Sequence, residues 1–111
     1  MLVLDRKIEQ TIVIGGNTIV SVLGVDRDGA KLGISAPGDV LIRREELDPE
    51  NIPHTIHERR GGMLVIHRKV GEGFAIGENT FVRVLGIGRK RVKIGTEAPF
   101  DVPIDKRRNY C

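Results

Sequence analysis

MLVLDRK opens the chain and MLVIHRK recurs at residue 63, an offset of 62 residues. At that offset residues 1–47 lie on 63–109 without a gap, and 21 of the 47 positions are identical. IGGNTIVSVLG lies on IGENTFVRVLG, KLGISAPGDV on KIGTEAPFDV, and Ile42 on Ile104. Self-similarity of this length means that whatever the first half builds, the second half builds too. A unit of about 50 residues buries too little of its surface to stand alone without a partner or a staple. No staple is available, because the single cysteine, Cys111, has nothing to pair with in the chain. The two halves are therefore expected to share one core. Met63 follows the pair Gly61–Gly62 and is the residue a former initiator would leave behind, although an apolar strand position accounts for it equally.

Each copy reads as five short strands. Leu2 and Leu4 alternate with Val3 and Asp5, and Thr11 to Ile14 form a second run closed by Gly15–Gly16. Thr18 to Val25 is rich in β-branched residues, with Gly24 inside it as the mark of a bend or bulge. Asp28–Gly29 is a hairpin signal. Ala30 to Ile34 gives a fourth strand, Ala36–Pro37–Gly38 a turn, and Val40 to Arg43 a fifth. The second copy repeats the pattern from Leu64 to Ile104, with Gly88–Arg89–Lys90 at the hairpin turn. Ten short strands, mainly antiparallel, are expected.

Only residues 45–62 differ in character. Glu45–Glu46 and Asp48–Pro49 resemble a helix start, but Pro53 would break a continuous helix. The chain is thus divided into repeat one (1–47), a linker with a broken helical turn (48–62) and repeat two (63–111). His54 and His57 have a spacing that metal sites use, but no second ligand pair lies nearby, so no metal is expected.

Charge is uneven. Residues 1–62 carry 8 Lys/Arg and 10 Asp/Glu, a net −2, whereas residues 63–111 carry 10 and 5, a net +5. A basic surplus serves solubility or a polyanion. With no Trp, one Tyr and three Phe, rows of stacking aromatics are excluded. Gly71-Glu-Gly73 followed by Gly77 has the wrong spacing for a dinucleotide fingerprint. No nucleophile–base pair or paired carboxylates are legible, so neither an enzyme nor a cofactor is expected. The opening residues alternate rather than form a leader, no apolar run approaches the roughly 18 residues of a membrane span, and cysteine usage fits a reducing cytoplasm.

The spaced run MLVL-x-R-K, I-G, V-x-V-L-G-V, G-I-x-A-P and V-x-I-x-R-E-E-L resembles the carbon storage regulator family (CsrA/RsmA) of bacterial translational repressors. The resemblance covers residues 1–47 and, nearly as well, 63–106. It implies an intertwined dimer of five-stranded chains, each followed by a C-terminal helix that repeat two is expected to lack. It also implies that the first strand of one chain lies parallel to the fifth of the other, and that the two form an RNA site for GGA elements. Because one chain holds both copies, a monomeric pseudodimer is expected. The 18 residues from Glu45 to Gly62 span up to about 60 Å, enough for the crossover. Two chains exchanging repeats would satisfy the same length.

Carried across by position, the resemblance implies two composite RNA sites. The stronger joins Ala36, Pro37, Arg43 and Arg44 to Leu64, Ile66, His67, Arg68 and Lys69. The weaker joins Leu2, Leu4, Asp5, Arg6 and Lys7 to Ala98, Pro99, Val102, Ile104 and Lys106. Arg44 brings a planar fork of donors for guanine or phosphate where Lys106 brings a point charge. Asp5 and Asp105 place carboxylates near phosphate, and Pro103 removes a main-chain donor. Against this, Arg44 could be a solvated strand-end charge, Asp5 could cap Lys7, Pro103 could protect an edge, and Arg107 and Arg108 could compensate. The expected function is sequence-selective RNA binding that controls translation. The alternative is a module that docks a protein partner, such as an antagonist resembling a flagellar assembly factor.

Overall fold

The fold follows from how the two copies divide their strands. In the computed structural model, described for residues 1–37, 40–44, 54–55 and 63–107, eleven strands form two sheets. Repeat one gives β1 (Leu2–Lys7), β2 (Thr11–Ile14), β3 (Thr18–Val25), β4 (Gly29–Ser35) and β5 (Leu41–Arg44). A two-residue strand, β6 (His54–Thr55), follows. Repeat two gives β7 (Leu64–Lys69), β8 (Gly73–Ile76), β9 (Thr80–Gly88), β10 (Arg91–Glu97) and β11 (Ile104–Arg107). One sheet runs β1-β10-β9-β8-β5-β6 and the other β11-β2-β3-β4-β7.

Each sheet is thus a three-stranded meander of one copy, flanked by the first and fifth strands of the other. Neither copy owns a complete sheet. The pairing also obeys the repeat: Leu2 lies opposite Thr96 and Leu64 opposite Ile34, while Ile42 faces Ile76 and Ile104 faces Ile14. Adding 62 to one register reproduces the other, so the chain has an internal two-fold relation. This is the shared core that the repeat demanded. Leu4, Val84, Val92, Ile94 and Phe74 from one sheet meet Ile12, Val22, Leu32, Ile34 and Ile66 from the other in one buried cluster. Each such fully buried side chain contributes about 1.5–3 kcal/mol relative to exposure.

The expected bulge is present. Leu23 is skipped between Val22 and Gly24 in the β3–β4 ladder, and Leu85 between Val84 and Gly86 in β9–β10. Every ladder is antiparallel. No ladder among the described residues joins β1 to β11 or β5 to β7, the pairs the resemblance placed side by side. Those strands instead edge two different sheets.

The strand β6 was not expected. Leu41 and Ile42 lie opposite Thr55 and His54, so the open edge of β5 recruits two residues of the linker. The helical turn expected at Glu45–Glu46 and Asp48–Pro49, together with His57, lies outside the described residues. So do residues 108–111, where the missing second helix was inferred. Among the described residues no helix is long and apolar enough to cross a membrane.

Candidate nucleic-acid interface

Alternation along β1 and β7 sends Leu4 and Ile66 into the core and leaves Val3, Asp5, Val65, His67 and Lys69 outside. Arg6 and Arg68 share the inward face. Arg68 is only 6 % exposed. Its Nε donates to the His67 carbonyl at 2.9 Å, its Nη1 to the Gly73 carbonyl at 3.3 Å, and Nη2 lies 3.8 Å from Glu72. Arg6 makes the matching contacts, Nε to the Asp5 carbonyl at 3.0 Å and Nη1 to the Thr11 carbonyl at 3.4 Å. A buried cation must be paired and hydrogen-bonded, and carbonyls and a carboxylate serve here. Both arginines therefore tie one sheet to the other. Leu4 and Ile66 can offer a ligand only main chain.

These struts also bring each first strand towards the opposite fifth strand. Arg6 of β1 reaches β2 across the sandwich, and β2 is the ladder neighbour of β11. Arg68 of β7 reaches β8, the ladder neighbour of β5. Each first strand and its opposite fifth strand thus share one neighbour at the same rim. The A-P turns are alike: the Val40 N–H donates to the Pro37 carbonyl and the Val102 N–H to the Pro99 carbonyl, both at 3.0 Å. Ala36, Val102 and Ile104 pack against the core, as does Leu64. Arg43 lies opposite Ala75 and Arg44 opposite Phe74, while Lys106 lies opposite Ile12. The side chains of Arg44 and Lys106, like Arg108, lie outside the described residues. Pro103 keeps its carbonyl in use, accepting from the Gly15 N–H at 2.8 Å as Leu41 does from Gly77. Leu41 ladders outward onto Thr55; a proline has no N–H to offer at that position.

Asp5 and His67 occupy equivalent positions on the outer face, and each is paired across the copies. Asp5 Oδ2 lies 3.3 Å from Arg91 Nη1, and His67 Nε2 lies 2.8 Å from Asp26 Oδ2. The other Asp26 oxygen accepts from the Gly29 and Asp28 N–H groups, both at 2.9 Å. Those backbone bonds, Gly29 first, hold the Asp26 carboxyl below its ordinary range, with His67 adding to the effect. The Lys69 N–H bond likewise lowers Glu72, helped by Arg68. Gln10 takes the place of Glu72 in repeat one, accepting from the Lys7 N–H at 2.8 Å. Asp5 is thus half of an ion pair rather than a bare carboxylate. Asp26 and Arg91 were missed in the sequence. Their signal was available: at the offset of 62 they stand against Gly88 and Gly29, a charge replaced by glycine each time.

The model of a global regulator protein family, CsrA, matches residues 1–51 and again 63–108. The chain belongs to the CsrA family. It holds two CsrA copies in tandem. Similar proteins include translational regulator CsrA of Wolinella succinogenes, 49% identical over 47 residues, 42% of this chain and 62% of that protein. The translational regulator CsrA of Thermosipho africanus is 48% identical over 50 residues, 45% of this chain and 68% of the relative. That of Clostridioides difficile is 47% identical over 47 residues, 42% and 67% respectively. The matched segments therefore span about two thirds of those relatives. No solved structure matches the chain.

Between the two repeats one further residue stands out. Phe100, in the turn after Ala98 and Pro99, is fully exposed, and the corresponding residue of repeat one is Gly38. The ring lies in the loop between β10 and β11. Composition alone, with three phenylalanines, gave no hint of its placement.

Proposed function

We propose that this tandem CsrA chain is a cytoplasmic post-transcriptional regulator that binds GGA-containing RNA and controls translation of the messages that carry it. One observation carries the reading. Each first strand reaches across the sandwich, through Arg6 or Arg68, to the ladder neighbour of the opposite fifth strand. This arrangement supports two composite sites within one chain. The names of the relatives, translational regulators, support the same direction. At β5 and β7 the ligand is met by Arg43, Arg44, His67 and Lys69, with Ala36 and Pro37 at the turn. At β1 and β11 it meets Asp5, Lys7 and Lys106, with Ala98 and Pro99. The first site is the tighter one, because a guanidinium can engage guanine or phosphate with two parallel bonds and an ammonium cannot.

A gel-shift with a GGA hairpin against a scrambled loop tests the reading. The GGA loop is expected to bind well below the concentration needed for the scrambled one. The logarithm of affinity should fall with the logarithm of salt, with a slope of about −0.7 for each phosphate neutralised. Equal binding of both loops would sink it.

A second reading, docking of a protein antagonist, is favoured by the exposed apolar side chains of Met1, Leu2 and Val3 at the start of β1. It predicts that purified chain ignores both RNAs.

A further inference from the structure

Two of the four seams between the copies, β1–β10 and β4–β7, have the same register, but the first strand carries the acid in one and the base in the other. In the first seam repeat one supplies the anion, Asp5, and repeat two the cation, Arg91, at 3.3 Å. In the second, repeat two supplies His67 from the matching strand position and repeat one supplies Asp26, at 2.8 Å. The anchoring of Asp26 by the Asp28 and Gly29 N–H groups fixes its free oxygen toward His67. Beside this difference, Lys7 lies opposite Arg91 where Lys69 lies opposite Gly29. Lys93 stands opposite Asp5 and Lys31 opposite His67, and these two lysines are equivalent in the repeats.

We propose that these reversed acid–base pairs are a pairing code: the edge of each repeat is built to accept the other type of repeat and to reject its own. The register is invariant under the offset, so the consequence of pairing like with like can be read directly. A seam between two first repeats sets Asp5 against Asp26, two carboxylates, with Gly29 in place of the arginine. A seam between two second repeats sets His67 beside Arg91, with Gly88 in place of the aspartate. Each like pairing loses both the Asp5–Arg91 contact and the His67–Asp26 hydrogen bond from its seam, and the first adds a repulsion. These groups are exposed, so each seam discriminates only modestly, by up to roughly fivefold. A fused chain needs such discrimination. Its copies meet like copies of neighbouring chains during folding, and chains joined through like repeats are the competing product. The code needs no RNA and stands apart from the proposed function.

Exchanging the two strand residues, Asp5→His with His67→Asp, tests it without changing composition. Both native seams then become mismatched, and both like-with-like seams become matched. After unfolding and refolding at equal concentration, sedimentation of wild type should show chiefly a 12.3 kDa species. The exchange variant should show a ratio of chain dimer to monomer raised by roughly tenfold. Adding Asp26→Arg and Arg91→Asp to the exchange rematches the native seams, and the ratio should return toward that of wild type. An unchanged ratio in the exchange variant overturns the proposal. So does a ratio that stays high in the fourfold variant, which would mark general weakening rather than a code. If the exchange variant does not refold at all, recovery of a monomer in the fourfold variant decides for the code, and its absence decides against it.

Discussion

Gly29 lies so close to the main chain of β7 that a β-carbon on it would come 2.7 Å from Lys69 Cα and closer still to the Arg68 carbonyl oxygen. The equivalent residue of repeat two is Arg91, a full side chain at the same point of the other seam. The seams share a register but not a spacing at this point. Gly29→Ala is therefore expected to lose about 1–3 kcal/mol, the usual cost of forcing atoms into a packed site. Arg91→Ala removes one exposed ion pair and should cost under about 1 kcal/mol. Urea unfolding of the two variants checks this, and equal losses would contradict the close approach.

Repeat two shows how to stabilise repeat one. The turn Lys7–Gln10 is closed by the Gln10 N–H on the Lys7 carbonyl at 2.9 Å, and its third residue, Glu9, has φ of 77°. The matching residue is Gly71, at φ 93°. A residue with a β-carbon pays about 1–2 kcal/mol in the left-handed region, and glycine returns part of that as unfolded-state entropy. Glu9→Gly should raise stability by about 0.5–1 kcal/mol in a thermal or urea melt.

The lowered carboxyls set an acid limit. Asp26 and Glu72 both titrate below their ordinary values of 3.8 and 4.5 in the folded chain. A group depressed by folding contributes stability that is present above its unfolded value and lost as pH falls through its folded one. Their contribution should hold above pH 4.5 and drain below pH 3.8. Urea midpoints measured from about pH 6 to about pH 2.5 should fall more steeply in wild type than in Asp26→Asn with Glu72→Gln.

RNA stoichiometry reads the asymmetry of the sites. Arg44→Ala should remove about 1–3 kcal/mol or more of specific binding if it makes a bidentate contact, and Lys106→Ala should change little. Asp5→Thr should strengthen the second site, since it removes a carboxylate and releases Arg91, its partner at 3.3 Å. Titration calorimetry with a single-GGA hairpin distinguishes one tight site from two. Two equal sites in wild type, or equal damage from the two alanine variants, would count against the assignment.

The strand pattern was legible because it is local. Thr11–Ile14 and Thr18–Val25 end where the apolar and β-branched runs end, and the bulge sits beside Gly24. The repeat itself showed that two halves must share a core, because neither can bury enough surface alone. What sequence could not display was which edge meets which. The short strand at His54–Thr55 exists only because β5 leaves donors and acceptors open beside it. Arg68 reads as a basic residue next to His67 and Lys69, yet it shares the inward face with Ile66, and the Gly73 carbonyl across the sandwich, with the His67 carbonyl and Glu72, satisfies it there. Asp5 and Arg91 are 86 positions apart; each departs from its counterpart in the other repeat, but nothing along the chain says that the two departures pair. Local propensity and periodicity are written along the chain. Partners across a seam are chosen by the tertiary fold, because a buried cation or an edge carboxylate is satisfied by whatever the folded chain brings within a few ångströms of it.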